Sequence, residues 1–173
     1  FQDFFRFEYR AALAIGLGDL PRAGDRAAVS RAVERAGAGE VIARLRDGLG
    51  TQLGGTWHDG AELSFGQWQR IALARGFMRD DPLLLVLDEP TAALDAETEH
   101  AIFQRYADAA RAGRPADGRV TVLVSHRFST VRMADVIVVL DGARVREAGS
   151  HAELMALNGR YAELYRIQAA AYR

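Results

Sequence analysis

Two carboxylates follow one of the longest unbroken apolar runs in the sequence. Leu83 to Leu87 are all apolar, and Asp88 and Glu89 come directly after them. Such a run predicts a strand buried on both faces of a parallel sheet, and ligands of open α/β sheets lie at the carboxyl ends of the strands. One carboxylate there can hold Mg²⁺, while its neighbour orients and deprotonates a water molecule. We therefore interpret the two carboxylates as part of a site for phosphoryl transfer, and not merely as polar residues that end a strand.

A second candidate group lies at the predicted start of a helix. Ser64 and Gln67 have the spacing of a capping box, in which each side chain pairs with the other residue's backbone N–H. Gly66 keeps the first turn open, so the Ser64 hydroxyl and backbone N–H groups can meet an anion there. Because capping boxes are common, this segment alone predicts only a helix start.

A histidine follows another apolar run. Val120 to Val124 predict a second parallel strand, and Ser125 and His126 come directly after it. This order places an imidazole at the carboxyl end of a strand, on the same edge as Glu89. A single histidine is more often structural than catalytic, and its position here favours a role at the site.

Helices and strands alternate around these residues. Apolar periodicity predicts short amphipathic helices over residues 11–50, a helix over 65–79 and another over 96–112, with Asp95 as the N-cap of the last. The residues between 51 and 60 form a predicted loop. A mainly parallel sheet with helices beside it is therefore expected.

The end of the chain predicts a hairpin and two more helices. An apolar run at 136–140 precedes Asp141-Gly142, a tight-turn pair that leads into a second strand over 143–147. Ser150 and Glu153 form another capping box, which opens a helix that stops near Asn158. An amphipathic helix ends the chain.

Composition limits the class of protein. The 173 residues contain 22 basic and 23 acidic side chains, so the net charge of −1 gives no electrostatic case for a nucleic-acid partner. No apolar run approaches the roughly 18 to 20 residues of a spanning helix. The absence of cysteine excludes disulfides and thiolate metal sites. All 22 basic residues are arginine, so the sequence contains no phosphate-binding loop of the G-x-x-x-x-G-K-[ST] type.

Taken together, these segments resemble the ATP-binding-cassette (ABC) ATPase family, whose motifs occur here in the family's order. The matching segments are Gln2 for the Q-loop, Leu63 to Gln67 for the signature motif, Leu83 to Asp88 with Glu89 for Walker B, Ala92 to Asp95 for the D-loop, and Ser125-His126 for the switch histidine. The segment after His126 resembles the end of an exporter-type cassette.

The resemblance implies an α/β fold of the P-loop NTPase type. A helical subdomain would span residues 1–80, the C-terminal half of the ATPase core 81–148, and C-terminal helices 149–173. The chain is expected to be a truncated nucleotide-binding domain that begins at the Q-loop and lacks the Walker A loop. By itself it is expected to be soluble and inactive.

The resemblance also implies which residues act on ATP and Mg²⁺, because the family binds nucleotide between two cassettes arranged head to tail. Toward the nucleotide of the same cassette, Asp88 and Gln2 would serve Mg²⁺, Glu89 would be the general base and His126 would contact the γ-phosphate. Toward the partner's nucleotide, Ser64, Gly66 and Gln67 would act in trans, with Asp95 at the dimer interface.

Partners follow from the same resemblance. A second nucleotide-binding domain and a transmembrane domain are expected, with the full-length protein at the cytoplasmic face of the cell membrane. The aromatic residues between Phe4 and Tyr9 are expected to pack in the core, and the alternative is that they line a groove for the transmembrane domain. A glycine of the signature motif is replaced by Phe65, which leaves Ser64 and Gly66 in place.

Two other functions stay open at this point. One is a non-transport ABC ATPase, although the 61 residues between Gln2 and Ser64 leave no room for the long coiled coils of chromosome-associated members. The other is a non-catalytic interaction fragment.

Overall fold

The computed structural model describes residues 4–80, 82–89, 104 and 118–171. Gln2 and Asp95 lie outside the described residues, as does the predicted helix over 96–112 except for Gln104, which is helical. The chain forms two compact units, Phe1–Val122 and Leu123–Arg173, and each is described by itself.

Helices dominate the first half of the first unit, as predicted. They are α1 (Ala11–Gly16), α2 (Arg26–Arg35), α3 (Gly39–Ala43) and α4 (Phe65–Gly76), with 3₁₀ turns at Leu20–Arg22 and Gly48–Gly50. Helix α2 begins where it does because the Asp25 carboxylate accepts hydrogen bonds from the N–H groups of Ala27 and Ala28 at 2.9 and 3.2 Å.

The core of this unit lies between α4 and the first two helices. It is built from Ile15 of α1, Val29 and Val33 of α2, and Trp68 and Ile71 of α4, all buried. Gly18 lets the chain after α1 approach the end of α4, because a Cβ atom at this position would lie 1.8 Å from the carbonyl oxygen of Arg75. Helix α4 is therefore held by packing along its length.

The C-terminal end of α4 is bound by arginines. The helix ends at Gly76, so the prediction that it continues to Arg79 is wrong. Beyond this helix end, the guanidinium group of Arg35 donates a hydrogen bond to the Phe77 carbonyl oxygen at 3.3 Å, and that of Arg22 donates to the Met78 carbonyl oxygen at 2.7 Å. Guanidinium groups from elsewhere in the unit thus satisfy the carbonyls at this helix end.

Asp80 lies at the centre of the same cluster. Its carboxylate is 2.5 Å from Arg22, 2.7 Å from Arg35 and 3.7 Å from Arg31. The hydrogen bond from Arg22 holds the pKa of Asp80 below its usual value, with Arg35 acting in the same direction. One carboxylate therefore ties the 3₁₀ turn and α2 to the segment that leads into the next strand.

Replacing Asp80 with asparagine is expected to destabilise the chain by about 1 to 3 kcal/mol at neutral pH, because charged hydrogen bonds are lost. A carboxyl group with a depressed folded pKa stabilises the fold above its unfolded pKa of about 3.9 and loses this effect as pH falls through the folded value. The loss of stability between neutral pH and pH 3 should therefore be smaller in Asp80→Asn than in the parent, which urea denaturation can measure.

Asp59→Asn is the matched control, since the Asp59 side chain is almost fully exposed and faces only His58. Equal stability of the Asp80→Asn and Asp59→Asn variants would contradict the role given to the arginine cluster.

Two strands follow α4 in this unit. They are β1 (Leu84–Asp88) and β2 (Val120–Val124), which form a two-stranded parallel sheet; β2 begins in this unit and ends two residues into the second. Strand β2 has its predicted bounds, whereas β1 is shifted by one residue. Burial on both faces was expected and is wrong for this chain, because Leu84 and Val86 are 59% and 57% exposed and only Leu87 of β1 is buried.

The second unit combines a hairpin with three helices. Its elements are α5 (Phe128–Val131), β3 (Ile137–Asp141), β4 (Arg144–Gly149), α6 (His151–Leu157) and α7 (Arg160–Ala171). Strands β3 and β4 pair antiparallel, which confirms the predicted hairpin. Its turn residues Gly142 and Ala143 have φ values of 55° and 60°, as a type I′ turn requires. The described sheets are thus one parallel and one antiparallel, where a mainly parallel sheet was expected.

Local caps position the last two helices. Ser150 and Glu153 form the predicted capping box at the start of α6, and Asn158 ends this helix in the left-handed region with φ of 55°. The Glu147 side chain, from β4, accepts from the N–H groups of Arg160 and Tyr161 at the start of α7. The packed core of the unit contains Ile137, Leu154 and Tyr161.

Candidate active site

The predicted capping box is present at the start of α4. The backbone N–H of Ser64 donates to Oε1 of Gln67 at 2.8 Å, and the N–H of Gln67 donates to Oγ of Ser64 at 3.4 Å. In this box the Ser64 hydroxyl only accepts, so its own proton stays available for a further acceptor. The capping function and contact with an anion are therefore compatible.

A cavity of about 320 Å³ opens beside this capping box. Residues of α3 and α4 line it, among them Glu40, Arg44, Ser64, Gly66, Gln67 and Arg70. The Nε atom of Arg70 is buried and has no hydrogen-bond partner among the described residues. Arg44 pairs with Glu40 at 3.5 Å, and Arg70 and the positive end of α4 add positive charge to the cavity, so it fits an anionic group such as a phosphate.

Phe65, which stands in place of a glycine of the family's signature motif, packs against the segment before α1. Its ring centroid lies 5.3 Å from that of Phe4, and the guanidinium of Arg6 lies 5.8 Å above the Phe65 ring. These contacts draw the Phe65 side chain toward the N-terminal segment. The capping box is intact beside it, so this variant is compatible with the geometry of Ser64 and Gln67.

The other aromatic residues of this segment are more exposed than expected. Phe5 and Tyr9 are 70% and 45% exposed, so the prediction that they pack in the core is wrong for these two. Phe7 is half-buried beneath the guanidinium of Arg75, which lies 4.7 Å from its ring centroid and donates to the Phe5 carbonyl at 3.2 Å. The segment thus packs on α4 and leaves two rings on the surface.

The predicted general base, Glu89, and the predicted Mg²⁺ ligand, Asp88, lie at the end of β1. Asp88 is the last residue of the strand, and Glu89 follows it with φ of 41°. This left-handed conformation costs a residue other than glycine about 1 to 2 kcal/mol. Strained backbone of this kind is concentrated at active sites, where the surrounding structure holds a side chain in a required direction. The conformation of Glu89 therefore supports a functional role.

The predicted switch histidine lies in the second unit. His126 follows β2, and its side chain is exposed. The segment around it is fixed through its backbone, because Ser125 Oγ accepts from the N–H of Arg127 at 3.1 Å and the His126 carbonyl accepts from Gln168 at 3.1 Å. Since Glu89 belongs to the first unit, the shared edge of Glu89 and His126 stays a prediction.

The Mg²⁺ ligands predicted from the resemblance are only partly described. Asp88 supplies one carboxylate at a strand end, whereas Gln2 lies outside the described residues. Within the residues that the structure describes, no group of three histidine, aspartate or glutamate side chains could hold a metal ion. A single carboxylate suits Mg²⁺, which keeps several water ligands and takes others from phosphates.

Sequence reasoning missed three residues of these regions. Arg44 and Arg70 line the cavity at Ser64, and Gln168 contacts the segment of His126. Arg70 could have been found from its helical spacing, because it lies four residues after Gly66 and three after Gln67 and therefore on their face of α4. Arg44 and Gln168 are far from their partners in sequence, and no local pattern indicates them.

Comparison with known proteins identifies the family. A model of the ABC transporter family matches residues 25–92. An ATP-dependent lipid A-core flippase of Burkholderia orbicola is 42% identical over 96% of this chain and 26% of its own length. A protein of Clonostachys rogersoniana described as an ABC-type transmembrane transporter is 45% identical over 79% of this chain and 10% of its own.

The fold comparison agrees. A bacterial Atm1-family ABC exporter, solved with ATP bound, superposes with a TM-score of 0.79 and 38% identity over 97% of this chain and 27% of its own. The described fold, mixed α/β with a small parallel and a small antiparallel sheet, is thus that of an ABC ATPase. The chain belongs to the nucleotide-binding domains of ABC transporters, and within them to the exporter type.

The chain spans about a quarter of the length of the lipid A-core flippases that it matches. Among the residues described, no helix combines the length and the apolar character needed to cross a bilayer.

Proposed function

We propose that this chain is the part of an exporter's ATPase motor that combines the helical subdomain, residues 1–80, with the C-terminal half of the catalytic core, residues 81–148, and the C-terminal helices, 149–173. The observation that carries the proposal is the cavity at the start of α4, where a capping-box serine and two arginines line one anion-sized space. ATP hydrolysis by the full-length transporter would drive movement of a cargo across the membrane.

The residues divide into two groups by the nucleotide that they serve. Bound Mg-ATP supplies the phosphoanhydride bond that is broken. Asp88, at the end of β1, and Gln2 would hold the water shell of Mg²⁺. Glu89 would take the proton of the attacking water, and His126 would contact the terminal phosphate. Ser64, Gly66 and Gln67 bind the phosphate of the partner's nucleotide.

Two partners follow from this division. A second nucleotide-binding domain completes each site in a head-to-tail dimer, with Asp95 at its interface. A transmembrane domain would contact the rings of Phe5 and Tyr9, which are exposed. The full-length protein would then lie at the cell membrane, with this domain on the cytoplasmic face. The chain is about equally identical to a lipid A-core flippase and to a fungal transporter, so this segment does not specify the cargo.

The 173-residue chain alone is expected to show no micromolar binding of Mg-ATP in titration calorimetry. Sites of this type draw most of their phosphate affinity from a lysine-containing loop, and this sequence has no lysine. Asp88 and Glu89 alone would repel the triphosphate. A complete cassette of an ABC exporter is the positive control. Micromolar binding by the chain itself would overturn this account of where the affinity comes from.

A further inference from the structure

One side chain of α7 bridges the segment that carries His126. The Nε2 atom of Gln168 donates to the His126 carbonyl at 3.1 Å, and its Oε1 atom accepts from the N–H of Phe128 at 2.9 Å. A glutamine amide has one donor end and one acceptor end, and both are used here on the same short stretch of backbone. These two hydrogen bonds hold the backbone on both sides of Arg127, much as the backbone of an adjacent β-strand would.

Apolar contacts join the same two elements. The Phe128 ring packs edge-on against Tyr161 and Tyr165 of α7, at centroid distances of 5.3 and 5.6 Å. These contacts anchor the start of α5 to the helix, and such aromatic pairs favour a defined orientation of the rings. Helix α7 therefore holds Phe128 through both its ring and its N–H group.

Hydrogen bonds hold the backbone around His126, whereas its side chain lies at the surface. Its carbonyl is bound by Gln168, and on the other side of the residue the Ser125 hydroxyl accepts from the N–H of Arg127. The imidazole itself is exposed. Hydrogen bonds that hold the backbone around His126 fix the direction in which its Cα–Cβ bond leaves the chain, and so the starting point of the imidazole.

We propose that Gln168 is a positioning residue for the switch histidine, so that the last helix of the domain sets where the His126 imidazole points. The inference rests on the proposed function, because it assumes that His126 contacts the terminal phosphate. Both polar groups of the Gln168 amide bind backbone atoms, so in this role the residue acts through His126 and does not contact nucleotide. Loss of the amide should therefore lower the rate of hydrolysis and leave nucleotide affinity unchanged.

The test uses the full-length transporter with Gln168→Leu, which removes both hydrogen bonds at similar size. The control is Arg166→Leu, a polar-to-leucine change at an exposed position of the same helix. We expect kcat for ATP hydrolysis to fall about tenfold or more in Gln168→Leu, since misplacement by about 1 Å can cost 10²-fold. KM for ATP should stay within about twofold, and Arg166→Leu should keep the parental values.

A double-mutant cycle with His126→Ala separates positioning from a purely structural role. If Gln168 acts through the imidazole, adding Gln168→Leu to His126→Ala should cause no further loss of residual hydrolysis. The same fold-loss in both backgrounds, or a loss no larger than that of Arg166→Leu, would overturn the inference.

The single variants of the cycle also distinguish failure of the positioning role of Gln168 from failure of the proposed phosphate contact of His126. Full activity of His126→Ala would refute the phosphate contact and the inference with it. A strongly impaired His126→Ala beside a fully active Gln168→Leu would refute the inference alone. Where the residual activity is too low to compare, amide hydrogen exchange decides: the Phe128 N–H should exchange faster in Gln168→Leu than in Arg166→Leu, and equal rates would count against Gln168.

Discussion

Replacing Glu89 with glutamine in the full-length transporter is expected to lower kcat for ATP hydrolysis by about 10²- to 10⁴-fold. The amide has the size of the carboxylate and cannot take a proton from water at neutral pH. The backbone conformation at this position, with φ of 41°, is as strained for glutamine as for glutamate, so packing and strain are the same in both proteins. Steady-state hydrolysis and nucleotide binding should be measured on the same preparation.

Glutamate-to-glutamine replacement at Glu163 is the matched control. This residue lies on α7, and among the described residues its side chain pairs with Arg160 of the same helix at the surface, so Glu163→Gln should hydrolyse ATP at the parental rate. If Glu89→Gln is equally active, Glu89 is not the general base, and another group must orient the water.

Replacing Ser64 with aspartate in the full-length transporter is expected to abolish hydrolysis while the protein remains folded. Aspartate is as good an N-cap as serine, so the capping function is kept. A carboxylate that opens onto the cavity with Gly66 and Gln67 would repel the partner's triphosphate. Nucleotide binding by each monomer should be retained, because it depends on the monomer's own phosphate loop. Activity, stability and monomer affinity are the three measurements.

The chain offers a matched pair of caps to separate stability from chemistry. Ser64 and Ser150 both cap helices through complete capping boxes, and only Ser64 lines the cavity. Ser64→Ala and Ser150→Ala should each lose about 0.5 to 2 kcal/mol of stability, and Ser150→Ala should keep its hydrolysis. A fully active and stable Ser64→Asp transporter would show that Ser64 is a helix cap only.

Features set by neighbouring residues in the chain could be predicted from the sequence. The capping boxes of Ser64 and Ser150 each need only residues within one helical turn. The hairpin turn at Gly142 also depends on adjacent residues, because only a few residue types tolerate positive φ there. For the same reason, the candidate residues Ser64, Asp88, Glu89 and His126 could be located from motifs, and their placement at helix and strand ends is as predicted.

Features set by distant residues could not be predicted. The early end of α4 depends on Arg22 and Arg35, which are more than 40 residues away from the carbonyls that they bind. The bridge from Gln168 spans 40 residues in the same way. The burial of β1 was overestimated because an apolar run predicts a strand but does not say which other elements cover its two faces.

The exposed apolar strands affect how the chain behaves when it is handled alone. Within the residues that the structure describes, each sheet has two strands, and the apolar side chains of Val86 and Leu140 on them are 57% and 70% exposed. Exposed apolar strands favour association between molecules, so we expect self-association of the chain to increase with its concentration. The concentration at which the chain stays monomeric would then set the conditions for studying it alone.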